Sequence, residues 1–131
     1  MGGYGAAWLA LCAAFAIHVA DEALTNFLSV YNPTVRAIRA QFPFLPIPTF
    51  TFRAWLTGLV VAVIAVASLT PLAFRGAPGL RPVAYVLGLI TAGNGMLHIV
   101  ASIIARRAVP GVYSAALLVA AAAYLIVSVG G

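Results

Sequence analysis

Residues 82–104 read PVAYVLGLITAGNGMLHIVASII, an apolar run that contains no Asp, Glu, Lys or Arg. A helix needs roughly 20 such residues to cross the hydrocarbon core of a bilayer. Three further apolar runs lie at about 4–30, 53–74 and 112–129. The sequence therefore predicts an all-α membrane protein, built as a four-transmembrane-helix bundle.

The composition supports this fold class. Of the 131 residues, 64% are hydrophobic and 7% are charged, whereas soluble domains have roughly 45–50% and about 25%. We expect residues 1–131 to form one integral membrane domain, because four spans leave room for loops and five do not. The first run lacks the positive segment that begins a signal peptide, so we expect it to be retained as a span.

The basic residues predict an orientation in the membrane rather than binding to nucleic acid. All of them lie between or at the ends of the apolar runs, as the positive-inside rule describes. Loops one and three hold Arg36, Arg39, Arg53, Arg106 and Arg107, and the second loop holds Arg75 and Arg81. We therefore expect loops one and three in the cytoplasm and both termini outside, in a bacterial-type inner or plasma membrane.

A short interfacial segment is predicted after the first span. Proline disfavours a helical conformation in the residue before it, so we expect the first helix to stop at Tyr31-Asn32-Pro33. Residues 33–52 then combine a short amphipathic turn with a stretch rich in proline and phenylalanine, which is typical of the headgroup layer. Tyr31 and Trp55 are expected to anchor the chain at this interface.

Polar side chains recur on one face of the first span. Residues at offsets of four, seven and eleven share a face of an α-helix. The members of this stripe are His18, Glu22, Thr25 and Ser29, with Asp21 on one flank and Asn26 on the other. Ionisable groups inside a membrane are costly and usually functional, so the stripe is a candidate site.

The third span carries a second stripe. It consists of Thr91, Asn94, His98 and Ser102, with the small residues Gly88, Ala92 and Gly95 beside it. Small residues let a neighbouring helix approach closely. Since spans one and three run in the same direction, counting from their cytoplasmic ends places Glu22 level with His98. The same count places His18 level with Asn94.

Two imidazoles with a carboxylate have the chemistry of a zinc or non-haem iron site. We therefore predict His18, Glu22 and His98 as metal ligands for zinc or iron. Asp21, Glu22 and Asn94 are the candidate catalytic groups, with Asp21 either a fourth ligand or a general base. The residues expected around the site are Asp21, Thr25, Asn26, Thr91, Ser102 and Tyr113; Ser114 follows the Pro110-Gly111 turn and can also reach it.

The chain resembles the HXXEE-motif family of small integral membrane proteins. The resemblance covers nearly the whole length and rests on His18-Val-Ala-Asp21-Glu22, Asn94-Gly-Met-Leu-His98 and Arg107-Ala-Val-Pro110-Gly111. It implies that His18, Glu22, Asn94 and His98 are the functional residues. Asp21 stands where the family name has its first Glu, and its side chain is one methylene shorter. The family is functionally uncharacterised, so the resemblance implies no particular reaction.

Three functions fit these residues. The first is a metal-dependent enzyme, a hydrolase or an oxidase, acting on a small lipophilic substrate or lipid. The second is a metal-free acid/base isomerase or cyclase that uses the same side chains. The third is a non-enzymatic membrane module with a structural polar cluster or a hydrophobic-ligand site. The oligomeric state is left open.

Overall fold

A computed structural model describes residues 3–131, and within this range the secondary structure is entirely helical. The elements are α1 (Gly5–Leu24), α2 (Leu28–Gln41), α3 (Phe52–Ser68), α4 (Thr70–Phe74), a 3₁₀ turn (Pro78–Leu80), α5 (Arg81–Ala105) and α6 (Val112–Gly130). Four helical stretches are long and apolar enough to cross a membrane, with α3 and α4 forming one of them. The predicted all-α fold with four apolar helices is confirmed.

The predicted first span, 4–30, is wrong at its carboxyl end, because α1 stops at Leu24. Asn26 adopts the left-handed conformation with φ of 60°, and the Phe27 N–H donates to the Glu22 carbonyl at 3.0 Å. This six-to-one hydrogen bond after a left-handed residue is a Schellman motif, which satisfies carbonyls at a helix end. Asn26 therefore ends α1 and turns Phe27 back over the last turn of the helix.

The prediction that Pro33 ends a helix is also wrong. Pro33 lies inside α2, which continues to Gln41. Its ring nitrogen cannot donate to the Ser29 carbonyl, but Ser29 is exposed. The chain therefore loses one hydrogen bond at an accessible position and remains helical.

Residues 42–51, which we call the strap, connect α2 to α3 without regular structure. Side chains of α2 hold the strap in place. The Tyr31 hydroxyl donates to the Pro48 carbonyl at 3.0 Å. Asn32 exchanges two hydrogen bonds with the Phe50 backbone, at 2.8 and 3.0 Å.

Helix α6 is central to the bundle, because it packs against both α5 and α1. The apolar core fills the end of the bundle where the chain begins, around Trp8, Leu11, Leu118 and Leu125. Helix α3 packs on α1 and buries only Trp55. At the opposite end, α1 and α5 flank α6, and their facing surfaces carry the two polar stripes.

Glycines set the close approach of α5 to α6. A Cβ atom at Gly95 would lie 2.7 Å from Val119 Cγ2 and 2.8 Å from the Ala115 carbonyl oxygen. A Cβ atom at Gly88 would lie 2.7 Å from Ile126 Cγ1. The small residues expected to admit a neighbouring helix therefore do so at these two positions.

We predict that Gly95→Ala lowers the free energy of unfolding by about 1–3 kcal/mol, because the added methyl group overpacks the α5/α6 contact. Gly93→Ala is the matched control, since a Cβ atom there meets nothing within 4 Å. Thermal unfolding in detergent measures both variants. Equal midpoints for the two would show that Gly95 does not limit the approach of the helices.

Candidate metal centre

Four polar side chains from α1 and α5 meet near one end of the bundle. His98 Nε2 donates to Glu22 Oε1 at 2.9 Å. His18 Nε2 lies 3.3 Å from the same oxygen and 2.8 Å from Asn94 Oδ1. We call His18, Glu22, Asn94 and His98 the polar cluster. The two pairs are those expected from counting depth along the spans.

The polar cluster is largely closed off from its surroundings. His18, Glu22 and His98 are 2%, 5% and 6% exposed, whereas Asn94 is exposed. A carboxylate in a buried site is stabilised only where partners compensate for its lost hydration. Two imidazole nitrogens on a single oxygen of Glu22 provide that compensation.

A hydrogen-bonded chain holds the other nitrogen of His18. His18 Nδ1 lies 2.7 Å from Ser114 Oγ, and this hydroxyl donates to Asp21 Oδ2 at 2.7 Å. The Ser114 backbone N–H donates to the same carboxylate oxygen at 2.9 Å. Asp21 therefore acts on the imidazole through Ser114, and it does not contact the polar cluster directly.

These contacts place His18 between two carboxylates, those of Asp21 and Glu22. The Ser114 hydroxyl donates to Asp21 Oδ2, so it accepts from His18 Nδ1–H. On the other side of the ring, His18 Nε2 faces Asn94 Oδ1 at 2.8 Å and Glu22 Oε1 at 3.3 Å.

The same atoms can hold a metal ion. His18, Glu22 and His98 each offer one ligand atom, and these atoms lie within 4.8 Å of one another. Tetrahedral coordination with bonds of about 2.1 Å places ligand atoms about 3.4 Å apart. The distances of 3.3 and 2.9 Å from Glu22 Oε1 to the two imidazole nitrogens are close to that spacing.

A tight turn closes the polar cluster on one side. Gly111 precedes α6 with φ of 90°, and a Cβ atom there would lie 2.7 Å from His98 Nδ1 and 3.0 Å from Glu22 Cγ. Its N–H donates to Thr25 Oγ1 at 3.2 Å. Only glycine provides both this conformation and this close approach.

The other residues expected around the site have different positions. Thr25 joins the site through the Gly111 turn and donates to the Asp21 carbonyl at 2.6 Å. Thr91 donates to carbonyls of its own helix, and Ser102 accepts from the Val109 N–H. Their hydroxyl groups satisfy backbone atoms rather than the polar cluster.

Three expectations about polar positions are wrong. Ser29 lies on α2 and donates to the Asn26 carbonyl, so the first stripe ends at Thr25. Asn26 is exposed and serves the Schellman turn. Tyr113 is 75% exposed, because the first turn of α6 directs the neighbouring Ser114 inward instead.

Two cavities lie beside the polar cluster and share Phe27, Tyr31 and Asn94. The first, of about 310 Å³, is called the α5 cavity and is completed by Val30, Leu97, His98, Ala101, Val109 and Pro110. The second, of about 370 Å³, is called the α3 cavity and is completed by Glu22, Phe50, Ala54, Trp55, Gly58 and Leu59. Both cavities are lined mainly by apolar side chains.

Aromatic rings form a continuous wall along these cavities. The Phe27 ring centre lies 5.6 Å from that of His98, 5.5 Å from Tyr31 and 5.9 Å from Trp55. Tyr31 in turn stacks on Phe50 of the strap at 5.9 Å. The sequence predicted Tyr31 and Trp55 only as anchors at the membrane interface. Their role as cavity walls depends on the Asn26 turn, which directs Phe27 inward.

Residues 8–126 match a family described as "Protein of unknown function with HXXEE motif". The chain belongs to this family. The motif corresponds to His18-Val-Ala-Asp21-Glu22, which supplies an imidazole and a carboxylate of the polar cluster together with the carboxylate that holds Ser114. No curated protein and no solved structure gives a significant match.

We predict that Ser114→Ala lowers the free energy of unfolding by about 1–3 kcal/mol, because it leaves His18 Nδ1 without a partner and removes one of the two hydrogen bonds to Asp21 Oδ2. Ser128→Ala on the same helix is the matched control, since it lies about four turns away. Its expected change is within about 0.5 kcal/mol. Equal thermal midpoints for the two variants would exclude a stabilising role for the Asp21–Ser114–His18 chain.

Proposed function

We propose that this protein is a metal-dependent membrane enzyme that acts on a small lipophilic substrate. The observation that carries the proposal is the convergence of one ligand atom each from His18, Glu22 and His98 within 4.8 Å of one another. Three ligand atoms from two helices leave a coordination position open. Such a position is the usual feature of a catalytic metal site, as opposed to a structural one.

The ligand set favours zinc or ferrous iron. Two histidines with one carboxylate are the ligands of many hydrolytic zinc sites and of non-haem iron oxygenases. Either ion would act as a Lewis acid toward an oxygen atom of the substrate. Its charge would also compensate for the buried carboxylate of Glu22.

The Asp21–Ser114–His18 chain supports metal binding. A histidine that binds a metal through one ring nitrogen normally donates the N–H of the other to a carboxylate or a similar group. Here Nδ1 donates to Ser114, which leaves Nε2 to face the polar cluster. We assign Ser114 and Asp21 as positioning residues for His18, with Asp21 acting through Ser114.

The lipophilic substrate is proposed from the cavities. Both are lined mainly by apolar and aromatic side chains and are contiguous with Asn94, as expected of a site for an apolar ligand with a few polar contacts. Helix α3, which walls one cavity, has little cover from the rest of the protein. A substrate dissolved in the bilayer can therefore approach from that side.

We further propose that the end of the bundle with the polar cluster faces the cytoplasm of a bacterial-type inner or plasma membrane. The residues at this end are Arg36, Arg39, Arg53, Arg106 and Arg107, all exposed. The opposite end has Arg75 and Arg81. Positive charge on short loops favours the cytoplasmic side, and both termini would then lie outside.

A second candidate is acid/base catalysis without a metal, as an isomerase or cyclase. It is favoured by the continuous hydrogen bonds from Asp21 through Ser114 and His18 to Asn94. A positioned imidazole beside a carboxylate can transfer protons to and from a lipophilic substrate. Metal analysis separates this candidate from the first.

We predict that the protein, purified in mild detergent without chelator, binds about one zinc or iron ion per chain. His18→Ala and His98→Ala should each abolish binding, because two ligands rarely hold an ion against water. Ser114→Ala should weaken the affinity about 10–100-fold. The affinity should increase with pH, since the ion competes with protons for Nε2. Mass spectrometry of bound metals and metal titration measure these effects.

Thr91→Ala is the matched control for the metal experiment. It removes a polar group from α5 whose hydroxyl bonds only to its own helix, so metal content should not change. Full metal content in both histidine variants would contradict the metal proposal. So would a second result, that the unaltered protein binds no metal after zinc or ferrous iron is added. The second result would favour acid/base catalysis.

A further inference from the structure

We propose that the two cavities bind a single-chain lipid that bears a neutral carbonyl group, and that Asn94 selects this group. The inference deepens the proposed function and rests on it, since it names the class of substrate for the same site. It is carried by the Asn94 side chain, which lines both the α5 cavity and the α3 cavity.

The Asn94 amide offers a free donor on a side chain that both cavities share. Its Oδ1 is occupied by His18, and within residues 3–131 Nδ2 has no hydrogen-bond partner. Asn94 is exposed and lines both cavities. A free –NH₂ group in apolar surroundings favours a ligand that brings a hydrogen-bond acceptor.

The charge of the site selects a neutral acceptor. Both carboxylates of the chain, Asp21 and Glu22, belong to the site, and Glu22 lines the α3 cavity. An ionised fatty acid would be repelled, whereas the carbonyl oxygen of an ester or amide would not.

The size of the cavities fits a lipid with a single hydrocarbon chain. Their volumes of about 310 and 370 Å³ lie at the lower end of the range for sites that hold small ligands. Both have Phe27 in their walls, and both are lined mainly by apolar side chains. A two-chain phospholipid would need more room, so the ligand would place one apolar chain along the aromatic wall and its carbonyl at Asn94.

The test uses Trp55 as the reporter, because it lines the α3 cavity and the only other tryptophan is Trp8 at the opposite end. In a Trp8→Phe background, Trp55 fluorescence is titrated with a methyl stearate brominated at two neighbouring carbons of its chain. The equally brominated octadecane, which lacks the carbonyl, and the free brominated stearate are the comparison probes. All titrations use protein stripped of metal with chelator.

We expect saturable quenching in which the ester binds roughly 3- to 10-fold tighter than the alkane, the difference made by one hydrogen bond. The ionised stearate should bind more weakly than the ester. Asn94→Leu, which keeps the size and removes the donor, should reduce the ratio of ester to alkane affinity to about one. Leu97→Ala enlarges the α5 cavity without touching the amide and should preserve the ratio.

Equal affinities for ester and alkane in the unaltered site would overturn the proposal, and this comparison does not depend on any variant folding. Tightest binding of the ionised stearate would overturn it as well. The same quenching of Trp8 in a Trp55→Phe variant would assign the effect to the detergent phase. The probes bind without metal, so the two proposals can fail separately. If the protein binds zinc but does not prefer the ester, the proposed function stands and only this inference is overturned.

Discussion

The functional end of this protein depends on one contact, in which two imidazole nitrogens lie against a single carboxylate oxygen. Glu22 Oε1 receives His98 Nε2 at 2.9 Å and has His18 Nε2 at 3.3 Å. A buried carboxylate with fewer partners would be costly in a membrane. Together with the hydrogen bond between His18 and Asn94, this contact joins α1 to α5, so it both closes the bundle and creates the candidate site.

The surrounding structure maintains this contact from three sides. Ser114 at the start of α6 fixes the orientation of the His18 ring, with Asp21 behind it. The Gly111 turn packs against His98 where no side chain would fit. The Asn26 turn directs Phe27 against the His98 ring. These three supports belong to helix ends, so the site is formed where the chain changes direction.

Much of this arrangement could be predicted from the sequence. The apolar runs give four spans because the bilayer fixes helix length. Helical periodicity and the common direction of spans one and three place Glu22 beside His98 and His18 beside Asn94. The end of α1 was not predicted, because Pro33 is a stronger local signal than Asn26. Periodicity also did not distinguish Ser114, which reaches the site, from Tyr113, which faces outward.

Helical periodicity does not show which polar side chains form their hydrogen bonds with nearby backbone atoms. Thr91 and Ser102 share the face of His98 and Asn94, yet their hydroxyl groups bond to backbone atoms nearby. The cavities could not be predicted either. They arise because the Schellman turn at Asn26 brings Phe27 and Tyr31 beside residues from α3 and α5, and such contacts join parts of the chain that are distant in sequence.

The alanine-rich surface of α6 has a consequence for how such a site can change over time. Ala115 and Ala122 are fully buried where α6 separates the two helices that carry the histidines, so α6 acts as a spacer of fixed thickness. A larger side chain there would widen the gap between the imidazoles without altering either one. Substitutions in the spacer can therefore change the distance between the two imidazoles while the residues of the motif stay unchanged.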